Sequence, residues 1–255
     1  MRTTKIITLA SVLFAMAGQA AAQREILVSS VDRTLISFIP ETHFAAFDWS
    51  NPETVDLSGL PIKESEATKL RAIVAEQSKE PTKVEPCDRS GLTSGSEFFG
   101  KPVFSDHLED VVRSSEVAFV GQVSRRSVGL VPSTWRPNTR VYLKIEEVLY
   151  DPSGHLAPNQ EWSYMIPYGT IRLGKAVLCH EPPAERYVAQ PGDQVVFAGG
   201  FDRLNSQELN LYKRVVFEVK GGVILPDLNE FLTNMTPIPV SELRGQLHPQ
   251  PKGKE

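Results

Sequence analysis

Residues 140–150 read Arg-Val-Tyr-Leu-Lys-Ile-Glu-Glu-Val-Leu-Tyr, and this stretch decides the fold class. Val141, Leu143 and Ile145 alternate with Tyr, Lys and Glu, which is the period of a strand with one buried face. The alternation slips at the two adjacent glutamates, as a β-bulge would cause. The stretch therefore predicts a long antiparallel strand with a bulge near its end.

Further strands are predicted on both sides of this stretch. They lie at residues 26–28, 35–39, 117–123, 162–166, 176–178, 194–198, 213–219 and 223–225. Turn signals such as the Gly221-Gly222 pair separate several of them. Short strands joined by turns favour an antiparallel barrel or sandwich. The alternate strand positions predict a core of Val117, Phe119, Val141, Leu143, Ile145, Val196 and Phe217.

Helices are expected to flank the strands. Residues 65–79 have apolar side chains at helical spacing, with Ser65 as the N-cap. Shorter helices are predicted at about residues 105–115 and from Ser241 onward. Residues 42–61 read as irregular loop, because prolines and a glycine interrupt them. The sequence thus predicts a mainly β fold with flanking helices and a short helix-containing N-terminal region.

Composition divides the chain into four expected parts. They are a signal peptide at 1–22, an N-terminal region and linker at 23–96, a β domain at 97–225, and a C-terminal helix and tail at 226–255. The boundary between the second and third parts rests on the linker-like composition of residues 88–96.

Residues 1–22 have the parts of a secretory signal peptide. Arg2 and Lys5 precede the apolar residues 6–17, and three small alanines end at Ala22. The apolar run is shorter than the roughly 20 residues that a membrane-spanning helix needs. We expect cleavage near Ala22 and export to the periplasm or the exterior, without a stable membrane anchor.

The charge balance disfavours two classes of partner. The chain has 27 Lys and Arg against 31 Asp and Glu, and removal of Arg2 and Lys5 leaves 25 against 31, a net charge of −6. Nucleic acids and anionic membranes require clustered basic residues. We therefore expect neither of them to be the main partner.

Only two cysteines are present, Cys87 and Cys179. In an oxidising compartment two cysteines most simply form one disulfide, although free thiols or a metal or catalytic role are the alternatives. A disulfide closing a loop of about 92 residues stabilises a fold by at most about 4–5 kcal/mol.

Familiar catalytic motifs are absent from the sequence. It contains no G-x-S-x-G, no S-x-x-K and no glycine-rich phosphate loop. The sequence His180-Glu181-Pro182-Pro183 starts like a zinc-protease motif, but its prolines forbid the helix that such a motif needs. We predict no catalytic residue, no metal site and no cofactor. Carboxylates from separated strands could nevertheless meet in the fold.

A hairpin loop is expected at residues 124–138, which is long for a hairpin. It carries Arg125, Arg126, Trp135 and Arg136, and we name these four as candidate binding residues. An exposed Trp beside an Arg would suit contact with a protein or a glycan. The alternative, which we favour, is that Trp135 folds back and covers one end of the β domain.

The strand block resembles netrin-like modules and tissue inhibitors of metalloproteinases. Three stretches carry this resemblance. They are Ser-Glu-Val-Ala-Phe-Val-Gly-Gln-Val at 115–123, the alternating strand at 140–150, and Cys179 followed by Pro-Gly-Asp-Gln-Val-Val-Phe-Ala-Gly at 191–199. The resemblance covers about residues 87–225 and implies an OB-like five-stranded antiparallel β-barrel. It also implies a Cys87–Cys179 disulfide.

The chain differs from that family in the N-terminal segment through which the inhibitors bind the protease. The inhibitors chelate the protease zinc through an N-terminal cysteine, whereas Cys87 lies far beyond Gln23 and the family's further disulfides are missing. The resemblance therefore does not carry protease inhibition over, unless the chain is cut between Pro86 and Cys87.

The leading functional hypothesis is an exported, non-enzymatic interaction protein on an OB-like barrel, whose partner is a protein or a glycan in the envelope or outside the cell. One alternative is an exported hydrolase of cell-wall or other polymeric substrates. Another is a structural protein of envelope assembly with no small-molecule pocket.

Overall fold

A computed structural model describes residues 38–79, 107–180, 188–201, 209–225 and 236–248, with side chains at 201 and 209–214 left undescribed. The strands are β1 (Ile39–Pro40), β2 (Val117–Val131), β3 (Arg136–Tyr150), β4 (Glu161–Ile166), β5 (Gly169–Leu173), β6 (Ala176–His180), β7 (Gln194–Phe201), β8 (Leu209–Lys220), β9 (Val223–Ile224) and β10 (Ile238–Pro239). The helices are α1 (Glu41–Phe44), α2 (Glu64–Lys79), α3 (Leu108–Ser114) and α4 (Val240–Leu247), with a 3₁₀ turn at Pro52–Thr54.

The fold is mainly β, with antiparallel pairing and a few helices, as the sequence predicts. One sheet has the order β10-β9-β8-β7-β2-β3-β4, and β1 pairs with the far end of β2. β5 and β6 form a separate two-stranded sheet. β4 approaches β8, but no hydrogen-bonded ladder joins these two strands in the described part of the chain. Closure of the sheet into a barrel is therefore not confirmed.

The ladder between β2 and β3 is irregular at three points. Its register skips Glu146 and Leu149 on β3, which confirms the predicted slip at the adjacent glutamates. It also skips Ser124 on β2. Because each skipped residue reverses the alternation of side chains, the Ser124 bulge decides which face the following residues occupy.

The expected long hairpin loop at residues 124–138 is wrong. The β2–β3 ladder continues to the pair Val131 and Arg136, and only residues 132–135 lie outside the strands. The two strands extend this far because their ends have an apolar surface to cover. Val128 and Leu130 pack into a cluster with the N-terminal segment and β5–β6.

Three apolar clusters hold the structure together. The first, which we call the strand cluster, has only strand and loop residues, including Phe119, Leu143 and Phe197. The second lies on the opposite side of the sheet, beneath α3 and α4. The third joins residues of α1, α2 and the loop between them to the end of the β2–β3 hairpin and to β5–β6.

All seven predicted core residues are buried, but they do not form one core. Val117, Phe119, Val141, Leu143 and Ile145 belong to the strand cluster. Val196 and Phe217 belong instead to the cluster beneath the helices. The single-core prediction is wrong for Val196 because β7 is buried on both faces, so alternation along it does not select one face. Phe217 of β8 is the register partner of Val196 and therefore shares its face.

The predicted helices are present with shifted ends. α2 begins at Glu64, so the proposed N-cap Ser65 lies inside its first turn. Instead, the backbone N–H of Lys63 donates to the Glu66 carboxylate at 2.9 Å, which is half of a capping box. The two short predicted helices contact each other, since Arg113 of α3 donates to the backbone carbonyl of Gln246 in α4 at 2.7 Å.

Several sequence predictions fall outside the described residues. These are the signal peptide, the strand at 26–28, residues 35–37 of the strand at 35–39, Cys87, the linker at 88–96 and the C-terminal tail after residue 248. Within the described ranges, no helix has the length and apolar character that crossing a membrane requires.

Candidate functional site

Arg125 lies in an ordered cluster on the outer face of the β2–β3 pair. The bulge at Ser124 turns it to the same face as Tyr142, its register partner. The guanidinium carbon of Arg125 sits 3.3 Å from the centroid of the Tyr142 ring. Its Nη2 donates to Glu161 at 3.0 Å, and the Ser124 hydroxyl donates to the other oxygen of that carboxylate at 2.8 Å.

The Arg125 side chain remains charged and accessible. Its side chain is 55% exposed, and that of Glu161 is 42% exposed. Partial burial acts to lower the pKa of Arg125, but hydrogen bonding to Glu161 and Tyr142 outweighs this effect and raises the pKa above its usual range. Exposed Lys144 lies on the same face of β3 as Tyr142, so this surface carries a second cation near Arg125.

Arg126 does not share this surface. Its register partner is Val141, whose side chain belongs to the strand cluster, so Arg126 lies on the opposite face from Arg125. Its Nη1 donates to the side-chain carbonyl of Gln190 at 2.7 Å. Because Arg125 and Arg126 are adjacent residues of one strand, their side chains lie on opposite faces of the sheet.

Trp135 is buried, which confirms the favoured prediction that it folds back. The residue is 3% exposed and packs into the third apolar cluster, so its side chain is not an exposed contact for a partner. Its backbone has φ of 53°, a left-handed conformation that is strained for a bulky residue, and its N–H donates to the Val131 carbonyl at 2.6 Å. The buried indole Nε1 has no hydrogen-bond partner among the described residues.

Arg136 is exposed at the far end of the hairpin. Six residues of strand separate it from Tyr142, a distance of about 20 Å, so it does not join the Arg125 cluster. Its charge instead acts on His180 of β6, whose ring lies 5.3 Å from the ring of Tyr168. The four candidate binding residues therefore occupy four separate environments.

His180 makes stability depend on pH near neutrality. Partial burial, and after it the charge of Arg136, lower the pKa of His180 below its ordinary value of 6.5, against a smaller opposing effect of the Pro167 backbone. The unfolded chain therefore binds the proton more readily. We expect stability to be highest above about pH 6.5 and to decrease as the pH falls through the folded-state pKa.

Urea denaturation at about pH 7.5 and about pH 5.5 measures this dependence. His180→Gln should reduce the loss of stability between the two conditions, whereas the exposed His43→Gln should leave it unchanged. An equal loss in His180→Gln and in the unmodified protein would contradict the assignment.

A groove of about 690 Å³ lies elsewhere in the fold, between the N-terminal segment and the turn of the β5–β6 hairpin. Three aromatic residues form its floor: Trp49 lies 6.4 Å from Phe44 and 6.2 Å from Phe47, centroid to centroid. The indole Nε1 of Trp49 donates to the Phe44 carbonyl at 2.9 Å. The sequence reading of residues 42–61 as irregular loop missed this site, although the spacing of Phe44, Phe47 and Trp49 was a visible signal.

Cys179 lies half-buried on β6, next to His180. Cys87 is outside the described residues, so the Cys87–Cys179 disulfide stays a prediction. Among the described side chains, no group of three His, Cys, Asp or Glu residues is arranged to hold a metal ion.

Comparison with known proteins identifies no relative. The chain matches no protein-family model, no curated protein and no solved structure. The residues of this chain are therefore the basis of its proposed function.

Proposed function

We propose that this chain is an exported, non-enzymatic interaction protein that binds a protein or a glycan through the part of the outer face of β3 around Tyr142 and Arg125. The observation that carries the proposal is the Arg125–Tyr142 stack. Arg and Tyr are the residue types that most often dominate interface energies. Here Glu161 accepts a hydrogen bond from the guanidinium and is itself held by the Ser124 hydroxyl, so binding would cost little additional side-chain ordering.

The scaffold in this proposal is an OB-like barrel of β2, β3, β4, β7 and β8. Its support is that all five strands contribute side chains to, or pack against, the strand cluster, and that β4 approaches β8. OB-like barrels commonly bind ligands with a strand face and the adjacent loops. Export, in turn, is supported by the signal-peptide pattern of residues 1–22.

No observation on the described residues favours the hydrolase alternative. A general acid for glycoside hydrolysis needs a carboxyl group with a raised pKa. Among the described carboxyl groups, those with shifted pKa values are Asp48, Asp56 and Asp151, and all three shift downward. Backbone hydrogen bonds lower the pKa of the first two. At Asp151, burial acts to raise the pKa, but hydrogen bonds to the carboxylate outweigh the effect of burial. The strongest of them comes from the Leu156 N–H.

Capture of partners from the native envelope extract by the immobilised mature chain tests the proposal. Arg125→Ala should reduce the captured partner about tenfold or more. Its melting temperature should change little, because exposed ion pairs contribute only about 0–1 kcal/mol. Arg244→Ala is the matched control, since Arg244 also forms an exposed ion pair, with Glu147 at 2.6 Å.

Pretreating the extract with protease or with periodate distinguishes a protein partner from a glycan. Equal capture by Arg125→Ala and Arg244→Ala would refute the assigned surface. Degradation of an extracted polymer by the purified chain would replace the binding hypothesis with the hydrolase.

A further inference from the structure

The groove between the N-terminal segment and β5–β6 has opposite charges on its two walls. Glu41 and Asp48 line the N-terminal side, while Arg172 and Lys175 line the hairpin side. None of these four side chains forms an ion pair with any described residue, and neither cation comes within ion-pair distance of either carboxylate. Four ionised groups thus surround an aromatic floor without neutralising one another.

The carboxylate of Asp48 is held in place by its own loop. It accepts a hydrogen bond from the Ser50 N–H at 3.0 Å, and this bond lowers the pKa of Asp48. Asp48 is therefore negatively charged at neutral pH. Its position is fixed beside Trp49, the buried centre of the floor.

The cationic wall is fixed by close contact between the hairpin turn and the floor. Gly174 has φ of 60°, and a Cβ at this position would lie 2.8 Å from the Cβ of Trp49. Only glycine permits this approach together with this backbone conformation. Arg172 and Lys175 lie on either side of this glycine in the sequence, so the backbone that carries these two cations is fixed relative to Trp49.

We propose that this groove binds a short peptide with free amino and carboxyl ends. The peptide carboxylate pairs with Arg172 and Lys175, its amino group pairs with Glu41 and Asp48, and its apolar side chain lies against half-buried Phe47. The groove volume of about 690 Å³ falls within the usual 300–1,000 Å³ of small-molecule sites. This volume is larger than a single amino acid fills. The site is distinct from the Arg125 surface and does not depend on it.

Calorimetric titration of the mature chain with the tripeptide Ala-Phe-Ala tests the proposal. Three blocked forms are compared with the free peptide: N-acetylated, C-amidated and doubly blocked. Since charge-assisted hydrogen bonds commonly account for tenfold or more in affinity, each single block should weaken binding about tenfold.

Substitutions on each wall of the groove, tested against the blocked peptides, show which wall binds which end of the peptide. Arg172→Gln should weaken binding of the free peptide about tenfold without further weakening the amidated form. Asp48→Asn should behave in the same way toward the acetylated form. Lys69→Gln, which removes an exposed cation of α2 outside the groove, is the control and should have no effect.

Three results would overturn the peptide site. They are no binding of any form at millimolar concentration, equal affinity for free and blocked forms, or an equal loss in Lys69→Gln and Arg172→Gln. Arg125→Ala should leave tripeptide binding unchanged, so failure of this site and failure of the proposed interaction surface are separately visible.

Discussion

Trp135→Ala is expected to lower the free energy of unfolding by about 3–5 kcal/mol, the usual cost of truncating a buried Trp. The indole is almost fully buried among Leu130, Ile171 and Leu178, and its removal leaves a cavity between the hairpin end and β5–β6. Alanine keeps the left-handed backbone strain, so no relief offsets the loss. Chemical denaturation of the purified mature chain measures the effect.

Two further variants identify the cause of that loss. Trp135→Phe keeps most of the apolar body and removes the unpaired indole N–H, so it should cost clearly less than Trp135→Ala. Arg136→Ala, one residue away but exposed, should change stability by no more than about 0.5 kcal/mol. Equal and small effects of Trp135→Ala and Arg136→Ala would mean that the indole does not stabilise the hairpin end.

The sequence predicts strands well where one face is buried against a single core. Residues 140–150 alternate cleanly because β3 has the strand cluster on one side and solvent-accessible Tyr142 and Lys144 on the other. β5 was not predicted, because Gly169 and Thr170 begin it and only Ile171 and Leu173 have strand character. Its pairing depends on β6, a contact that periodicity does not encode.

The candidate binding residues could not be placed from the sequence because a single bulged residue decides their faces. Without the skip at Ser124, Arg125 would continue the alternation of Val123 and point into the strand cluster. With the skip, Arg125 reaches Tyr142 and Glu161, and Arg126 takes the opposite face. The alternation of residues 140–150 places Tyr142 on the polar side of its strand, but its stack with Arg125 depends on the register of β2 and β3.

The groove was missed for a different reason. Its aromatic floor comes from residues 44–49, whereas Arg172 and Lys175 come from a hairpin more than one hundred positions later in the chain. Nothing in either segment alone indicates the other. Their contact depends on the third apolar cluster, which joins the N-terminal segment to β5–β6 through long-range burial.

Leu143→Ala is expected to cost about 2–5 kcal/mol, because Leu143 is fully buried at the centre of the strand cluster. Its register partner on β4 is Trp162, so truncation removes contacts on two strands at once. Lys144→Ala, the exposed next residue on β3, is the matched control and should cost at most about 0.5 kcal/mol. Urea denaturation of both variants gives the comparison.

The division of the core into separate clusters adds a sharper test of the same substitution. Leu143 and Phe217 belong to clusters on opposite sides of the sheet, so Leu143→Ala and Phe217→Leu should be additive to within about 0.5 kcal/mol. Leu143→Ala and Trp162→Phe share one cluster and should couple. A cost below about 1 kcal/mol for Leu143→Ala, or equal coupling in both pairs, would mean that the strand cluster is not the separate core that its contacts indicate.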